Sequence, residues 1–324
     1  MKKIYLLFIT VIMLTIAGCS SGTDARQSGG LSLNAFEGGD KALLMSFGEG
    51  APPQRIMDGG IQSFNVRVLL ENVGEFDIPE SSGYVVLAGF SSRDLNLETT
   101  SLEIPELRGV RKQGSNKIPG GRSQVTFTNL KYLPELTSGT TRQSLIANVC
   151  YPYKTRSVVS LCIAGETLVI QDANSAICDL ESKRDFANSG SPLRIENVNQ
   201  YPSGRNSIEF QFDIVHKPTS NNGRLYESGS IDSLCRINGA SPASVDAVPF
   251  QNRVLFTVNS DPLSINCNGD GDSGIVQLSN NKATVVCSVN TLNEEEYVKP
   301  ILIELDFDYV ERIQTELEIQ HNMR

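Results

Sequence analysis

An all-β protein built as two tandem antiparallel β-sandwiches is predicted by three features of this 324-residue chain. Apolar residues recur at every second position through many short runs. Glycine, proline, asparagine and aspartate cluster between those runs, at the spacing of strand-to-strand turns. No segment carries a sustained helical period, so the alternation of strands with helices that marks parallel α/β folds is missing.

The first strand series begins with Phe64, Val66, Val68 and Leu70, and stops at Glu71-Asn72-Val73-Gly74. Tyr84 to Phe90 is an apolar run interrupted only by Gly89. Val125, Phe127 and Asn129 alternate, as do Leu145, Ala147, Val149 and Tyr151; Val158 to Ile163 and Thr167 to Ile170 complete the set. Turn clusters fall at Gly48 to Pro53, Asp58 to Gly60 and Ile118 to Gly121. Asp172 to Gly190 breaks the pattern and reads as a connector, with a turn or two of helix expected over 179–187. A second series follows, with Leu193, Ile195 and Asn197, and then the clean alternation of Ile208, Phe210, Phe212 and Ile214 with Glu209, Gln211 and Asp213. Val254 to Val258, Leu263 to Cys267 and Ala283 to Val289 continue it. The chain closes with Ile301 to Tyr309 and a separate run, Ile313 to Ile319, whose polar side suits a strand with one solvated face. The expected domains are residues 31–171 and 172–324.

Ahead of them, Lys2 and Lys3 precede an apolar run from Ile4 to Ile16. A dozen or so apolar residues fall short of the roughly 20 that span a bilayer, so residues 1–18 read as a signal peptide. Ile16-Ala17-Gly18-Cys19 resembles the lipobox of prokaryotic lipoproteins, which implies cleavage before Cys19 and acylation of its sulfur. Residues 19–30 are nearly devoid of apolar side chains and read as a flexible tether. Removing Lys2 and Lys3 leaves 26 basic against 37 acidic residues, a net charge of −11. That balance, without tryptophan, argues against nucleic acid as a partner. The densest basic stretch, Arg108, Arg111, Lys112, Lys117 and Arg122, lies in a Gly/Pro-rich loop and reads as a solvated face. The expected partners are the membrane, through the acyl chains, and another envelope or surface protein.

Six cysteines remain once Cys19 carries lipid: Cys150, Cys162, Cys178, Cys235, Cys267 and Cys287. An even number in an exported chain predicts three disulfides. The spacings of 12, 16, 57, 32 and 20 contain no close pair of the kind zinc requires. Cys150 and Cys162 are expected to face each other across a hairpin turning near Thr155-Arg156-Ser157. Cys267 and Cys287 flank a Gly-rich turn and form a second pair, leaving Cys178 with Cys235 by elimination among 15 pairings.

The segment closing at Asn72-Val73-Gly74 is similar to the strand-then-Asn-x-Gly signature of CARDB-type immunoglobulin-like domains. Cys150 to Thr155 with Cys162-Ile163, and Pro300 to Tyr309, resemble pieces of uncharacterised exported two-domain β proteins of small-genome archaea. The likeness covers most of the chain in layout but only these short motifs in letters. It implies that both domains are immunoglobulin-like β-sandwiches located outside the cytoplasm, and it implies no catalytic residues.

Several motifs invite a chemical reading. Gly269-Asp270-Gly271-Asp272-Ser273-Gly274 spells G-x-G-x-x-G, yet two aspartates would repel a pyrophosphate and a strand-like run follows instead of a helix. Asn268, Asp270 and Asp272, with Asn266, offer hard oxygen ligands suited to low-affinity calcium. Ser273 and Ser279 stand where an EF-hand needs Gly and a bidentate Glu, and the same letters suit a solvated turn. No other cofactor is expected. The chain has two histidines; His216 ends a strand and His321 lies in a tail expected to fray, so Ser-His-Asp schemes lack a base. Glu294 to Glu296, Asp306 and Asp308 supply carboxylates, none marked as buried. Tyr84, Tyr151 and Tyr153 form either a sugar platform or cross-strand packing. The expected role is non-catalytic: a lipid-anchored binding, adhesion or envelope-assembly module whose contact loops are Arg108 to Gly121 and Pro218 to Glu227. The alternatives are a solute-binding lipoprotein of a transporter, which needs α/β lobes, and a carbohydrate-active enzyme.

Overall fold

Two strands of 24 residues each, paired along their whole length, run through the middle of the molecule. The structure is a computed structural model that describes residues 32–165, 178–218, 223–235, 250–292 and 295–322. Its strands are β1 (Leu43–Phe47), β2 (Arg55–Met57), β3 (Ser63–Asn72), β4 (Tyr84–Ala88), β5 (Ser101–Glu103), β6 (Arg111–Gln113) and β7 (Asn116–Ile118). There follow β8 (Arg122–Lys131), β9 (Thr140–Ile163), β10 (Ser182–Lys183), β11 (Phe186–Asn188), β12 (Leu193–Pro202) and β13 (Ser207–His216). After β14 (Arg224–Glu227) comes a short helix, α1 (Ile231–Cys235). The chain ends with β15 (Arg253–Asn259), β16 (Ile265–Cys267), β17 (Ser273–Gln277), β18 (Lys282–Asn290) and β19 (Tyr297–Gln320).

The fold is all-β. β9 and β19 pair antiparallel from Thr140↔Gln320 to Ile163↔Tyr297. They form the centre of a nine-stranded sheet whose main path is β17-β15-β19-β9-β4-β5, with β2 and β14 joined to β19 and β11 to β9. A three-stranded sheet, β1-β3-β8, and a five-stranded sheet, β10-β12-β13-β18-β16, complete the layers. Apolar positions from all three sheets, among them Val66, Phe127, Val149, Phe212 and Ile303, belong to one continuous buried cluster. The boundary expected at 171/172 therefore does not separate two closed cores. The central sheet takes strands from both sides of it, and residues 31–324 make one compact unit.

Thr155-Arg156-Ser157, expected as the turn of a hairpin that sets Cys150 opposite Cys162, lies inside β9. Both Thr155 and Ser157 are buried within the strand. Thr155 Oγ1 donates to Leu193 O at 2.5 Å, and Ser157 Oγ donates to Asn188 Oδ1 at 2.6 Å. The segment around β11 and β12 thus satisfies hydroxyls that would otherwise oppose burial. Pro152 is tolerated because it falls between the stretch of β9 flanked by β4 (146–150) and that flanked by β11 (157–159). Likewise Ile313 to Ile319 is no separate strand but the continuation of β19, and residues 179–187, expected as helix, carry β10 and β11.

Strand alternation fails in several stretches, among them Ala147 to Tyr151 of β9 and Tyr84 to Leu87 of β4. From Phe307 to Glu311 every residue of β19 is buried, because both faces of the sheet are covered. Phe307 and Tyr309 face the main core. On the other face, Val310 joins Tyr84, Val86, Cys150, Tyr226, Ile231 and Leu234 in a second small core under α1. The Cys150–Cys235 disulfide, with Cα atoms 6.5 Å apart, ties that helix down. The other bridges are Cys162–Cys178 and Cys267–Cys287. Of the expected pairings only Cys267–Cys287 forms, between residues directly opposite on β16 and β18. Cys150 and Cys162 cannot meet: 12 positions along one unbroken strand put them roughly 40 Å apart, whereas a disulfide spans Cα atoms about 4.4–6.8 Å apart. Cys150–Cys235 and Cys162–Cys178 both cross the boundary expected at 171/172.

Two outcomes follow from this architecture. Non-reducing peptide mapping will return bridges 150–235, 162–178 and 267–287; a 150–162 cross-link would contradict the continuity of β9. Phe212→Ala, at a site with no solvent exposure on the central strand of the five-stranded sheet, will cost about 3–5 kcal/mol in denaturant unfolding.

Candidate functional site

The surface with the most distinctive build lies around the three-stranded sheet, and it starts from the Asn72-Val73-Gly74 motif. Asn72 is buried; its Nδ2 donates to Phe76 O and Leu107 O, and its Oδ1 accepts from Gly74 N. A Cβ on Gly74 would lie 1.9 Å from Tyr153 Oη, and one on Gly120 would lie 1.9 Å from Asn72 O. Glycine is needed at both positions because backbone and side chain approach so closely. Next to this node the Glu75 carboxylate accepts backbone N–H groups of Glu37, Gly38 and Gly190 at 2.8–3.0 Å, joining three distant segments.

Two exposed features rise from this base. One is the β6–β7 hairpin, exposed at every strand residue and turning at Gly114 with φ +62°. The expected basic stretch lies here and around it. Arg111 pairs with Asp77 at 2.5 Å, Arg122 with Glu71 at 2.8 Å and Arg108 with Glu106 at 3.5 Å, while Lys112 Nζ donates to Phe36 O. The other feature is a shallow groove along the outer face of the sheet, lined by Leu44, Ser46, Leu69, Glu71 and Arg122. Leu44 and Leu69 are 43% and 38% exposed, which makes this a small apolar strip on the outer face of the sheet. Sequence reasoning found the hairpin as a loop but missed the groove. Its only signal is Leu69, an apolar residue at an outward parity position of β3.

Both histidines weighed for catalysis are bound into the framework. His216 is buried with Nε2 3.1 Å from Tyr309 Oη, and burial lowers its pKa to about 4. His321 is not frayed: its Nδ1 lies 2.8 Å from Asp58 Oδ2, and Asp58 also accepts from Asn322 N and Leu136 N. The His321 contact, followed by the Asn322 N–H, holds the Asp58 carboxyl down at about 2. Two carboxylates of β19 are buried: Asp308, weighed above as strand surface, and Glu311, which sequence reasoning did not single out. Asp308 accepts from Ser230 N at 2.6 Å and Ile231 N at 2.9 Å, yet burial pushes its pKa up to about 6. Glu311 accepts from Tyr151 Oη at 2.7 Å. Asp308 points to α1 and Glu311 to the core tyrosines, on opposite faces of β19, so they do not flank one cleft as a glycosidase pair must.

Tyr151 and Tyr153 are buried, set edge-on to Tyr309 and Phe76 respectively; they are cross-strand packing and not a sugar platform. Tyr84 donates to Asp232 Oδ1 at 3.2 Å. Of the contact loop expected at 218–227, residues 219–222 lie outside the described residues, and β14 buries Leu225 and Tyr226 against β19. Asn268 Oδ1 accepts from Val286 N, while Asp270 and Asp272 stay exposed in the turn between β16 and β17. Cys162, Cys178 and Glu296 lie close enough to share a metal, but the two sulfurs are bonded to each other. Cys19, the signal peptide and the tether lie outside the described residues, as does Glu294.

No family model matches the chain, and no curated protein matches it. Among solved structures it is similar to the secreted serine protease VesC from Vibrio cholerae, at 10% identity over 80% of this chain and 49% of that one. This chain spans about half the length of that protein, and the TM-score of 0.16 is too low to carry an argument about fold or activity.

The two perturbed aspartates predict opposite pH behaviour. Asp58 contributes stability above its ordinary 3.8 that is lost as pH falls through about 2. Asp58→Asn will lower Tm at neutral pH, with the gap to wild type closing in strong acid. Asp308 contributes stability that is complete below 3.8 and lost as pH rises through about 6. Wild type will therefore shed on the order of 2–3 kcal/mol between those values from this group, and Asp308→Asn will lack that component in unfolding curves taken from pH 4 to 8.

Proposed function

We propose that the chain is a lipid-anchored, non-catalytic surface protein of the cell envelope, acting as a binding or envelope-assembly module. The observation that carries this is the pairing of an export signal ending in Ile16-Ala17-Gly18-Cys19 with three disulfides. Disulfides belong to an oxidising, extracytoplasmic compartment. No helix among the described residues is long and apolar enough to cross a membrane, so attachment through acyl chains on Cys19 fits. Two such chains bury enough methylene for stable anchoring, at about 0.8 kcal/mol per CH₂.

The contact surface in this reading is the face built on β1, β3 and β8 together with the β6–β7 hairpin. Its support is chemical: Leu44 and Leu69 form an apolar strip, and Arg111, Lys112 and Lys117 crown the hairpin. Meanwhile the histidines and core tyrosines are engaged in packing and hydrogen bonds.

Radiolabelled palmitate will enter the wild-type chain and not Cys19→Ala, and the variant will leave the membrane fraction for the soluble one. Label that persists in Cys19→Ala, or a wild-type chain that fractionates as soluble, refutes the anchor. Cross-linking of the anchored protein in its native envelope tests the binding role, with Leu44→Asp and Leu69→Asp expected to reduce the captured partner severalfold.

A further inference from the structure

The outer edge of β1 has no strand beside it among the described residues. Gly48 N donates to Arg67 O and Val73 N donates to Ala42 O, so even-numbered positions bond inward to β3. By the alternation of antiparallel ladders, positions 43, 45 and 47 turn their N–H and C=O groups outward. Edge strands ordinarily carry lysine, proline or a bulge that discourages further pairing. Leu43-Leu44-Met45-Ser46-Phe47 has no charge and no proline. The charges sit just outside it: Lys41 and Glu49, both exposed, each four positions from Met45.

We propose that this edge pairs with the same edge of a second copy of the chain, antiparallel about a two-fold axis at Met45. The inference rests on the binding-module reading and names its partner. In this register Met45 meets Met45 of the second copy and Leu43 meets its Phe47. The outward-facing odd positions therefore oppose one another and exchange backbone hydrogen bonds. The same register sets Lys41 opposite Glu49 of the second copy, and symmetry makes that pair twice. Leu44 falls opposite Ser46 of the second copy, bringing Leu44 and Leu69 of both chains onto one six-stranded face. A register shifted by two residues keeps the hydrogen bonds and loses both ion pairs. The edge of β17 offers no such complement, because Asp270 and Asp272 flank one end and Leu278 and Ser279 the other.

The test uses the full-length chain, in its membrane and after detergent extraction. Met45→Cys will form a covalent dimer on mild oxidation, whereas Ser115→Cys at the tip of the β6–β7 hairpin will not. Sedimentation equilibrium will show a dimer that Lys41→Glu weakens about tenfold, since two attractions become repulsions. The double variant Lys41→Glu/Glu49→Lys will restore it. A chain that stays monomeric, a Met45→Cys protein that forms no more dimer than Ser115→Cys, or an association indifferent to Lys41→Glu each overturns the proposal. If the monomer still cross-links to another envelope component, only the dimer is lost and the binding-module reading stands. If the dimer forms with the expected charge dependence but contacts no other envelope component, the dimer stands and the wider binding role is lost.

Discussion

Twenty-four consecutive backbone pairs between β9 and β19 set where the other strands can go. Each end of the ribbon borrows different neighbours: β4 and β2 pair near 140–150 and 318–320, and β15 and β11 near 302–306 and 157–159. A strand that long is stable only if every stretch of it has flanks and a covered face, since an unpaired ladder exposes its polar groups. The short strands, the three-stranded and five-stranded sheets and α1 supply that cover in turn. The ribbon is the reason that the two halves of the sequence share a core.

Burial along the ribbon also decides the chemistry of its polar residues. Asp308, Glu311, Thr155 and Ser157 all lie inside, and each has a partner there: backbone N–H groups at α1, Tyr151, Leu193 and Asn188. A buried polar group without a partner costs about 1–3 kcal/mol, so these pairings decide which loops may cross the sheet. Glu75 and Asp58 act in the same way at its margins, gathering backbone donors from segments far apart in sequence. Asp58, Glu75, Asp308 and Glu311 are thereby engaged in contacts that hold loops in place.

The strands with one solvated face were legible from their letters. Ile208 to Ile214 and Val254 to Val258 became β13 and β15 with the expected alternation. The Cys267–Cys287 pairing was expected as well, although the chain between the two cysteines passes through β17 in another sheet before returning as β18. What misled was local polarity. Thr155-Arg156-Ser157 imitates a turn unless one knows that Asn188 and Leu193 lie alongside, and Asp308 imitates a solvated strand face unless α1 is known to cover it. Neither neighbour is near in sequence, so no local rule could reveal it. The groove beside β1 was hidden for a similar reason: Leu44 and Leu69 are ordinary strand residues until the sheet brings them together.

By itself, the sequence determined the all-β class, the run of apolar residues ahead of Cys19 and the supply of six further cysteines. These depend on side-chain period and backbone geometry, which are local. Tertiary structure alone decided that β9 and β19 each run unbroken, that Cys150 meets Cys235, that Asp308 is shielded from water and that, among the described residues, no strand lies on the outer side of β1. Those outcomes depend on which distant strand lies alongside, and pairing partners are chosen by the burial of whole sheets against one another, not by the letters of any one strand.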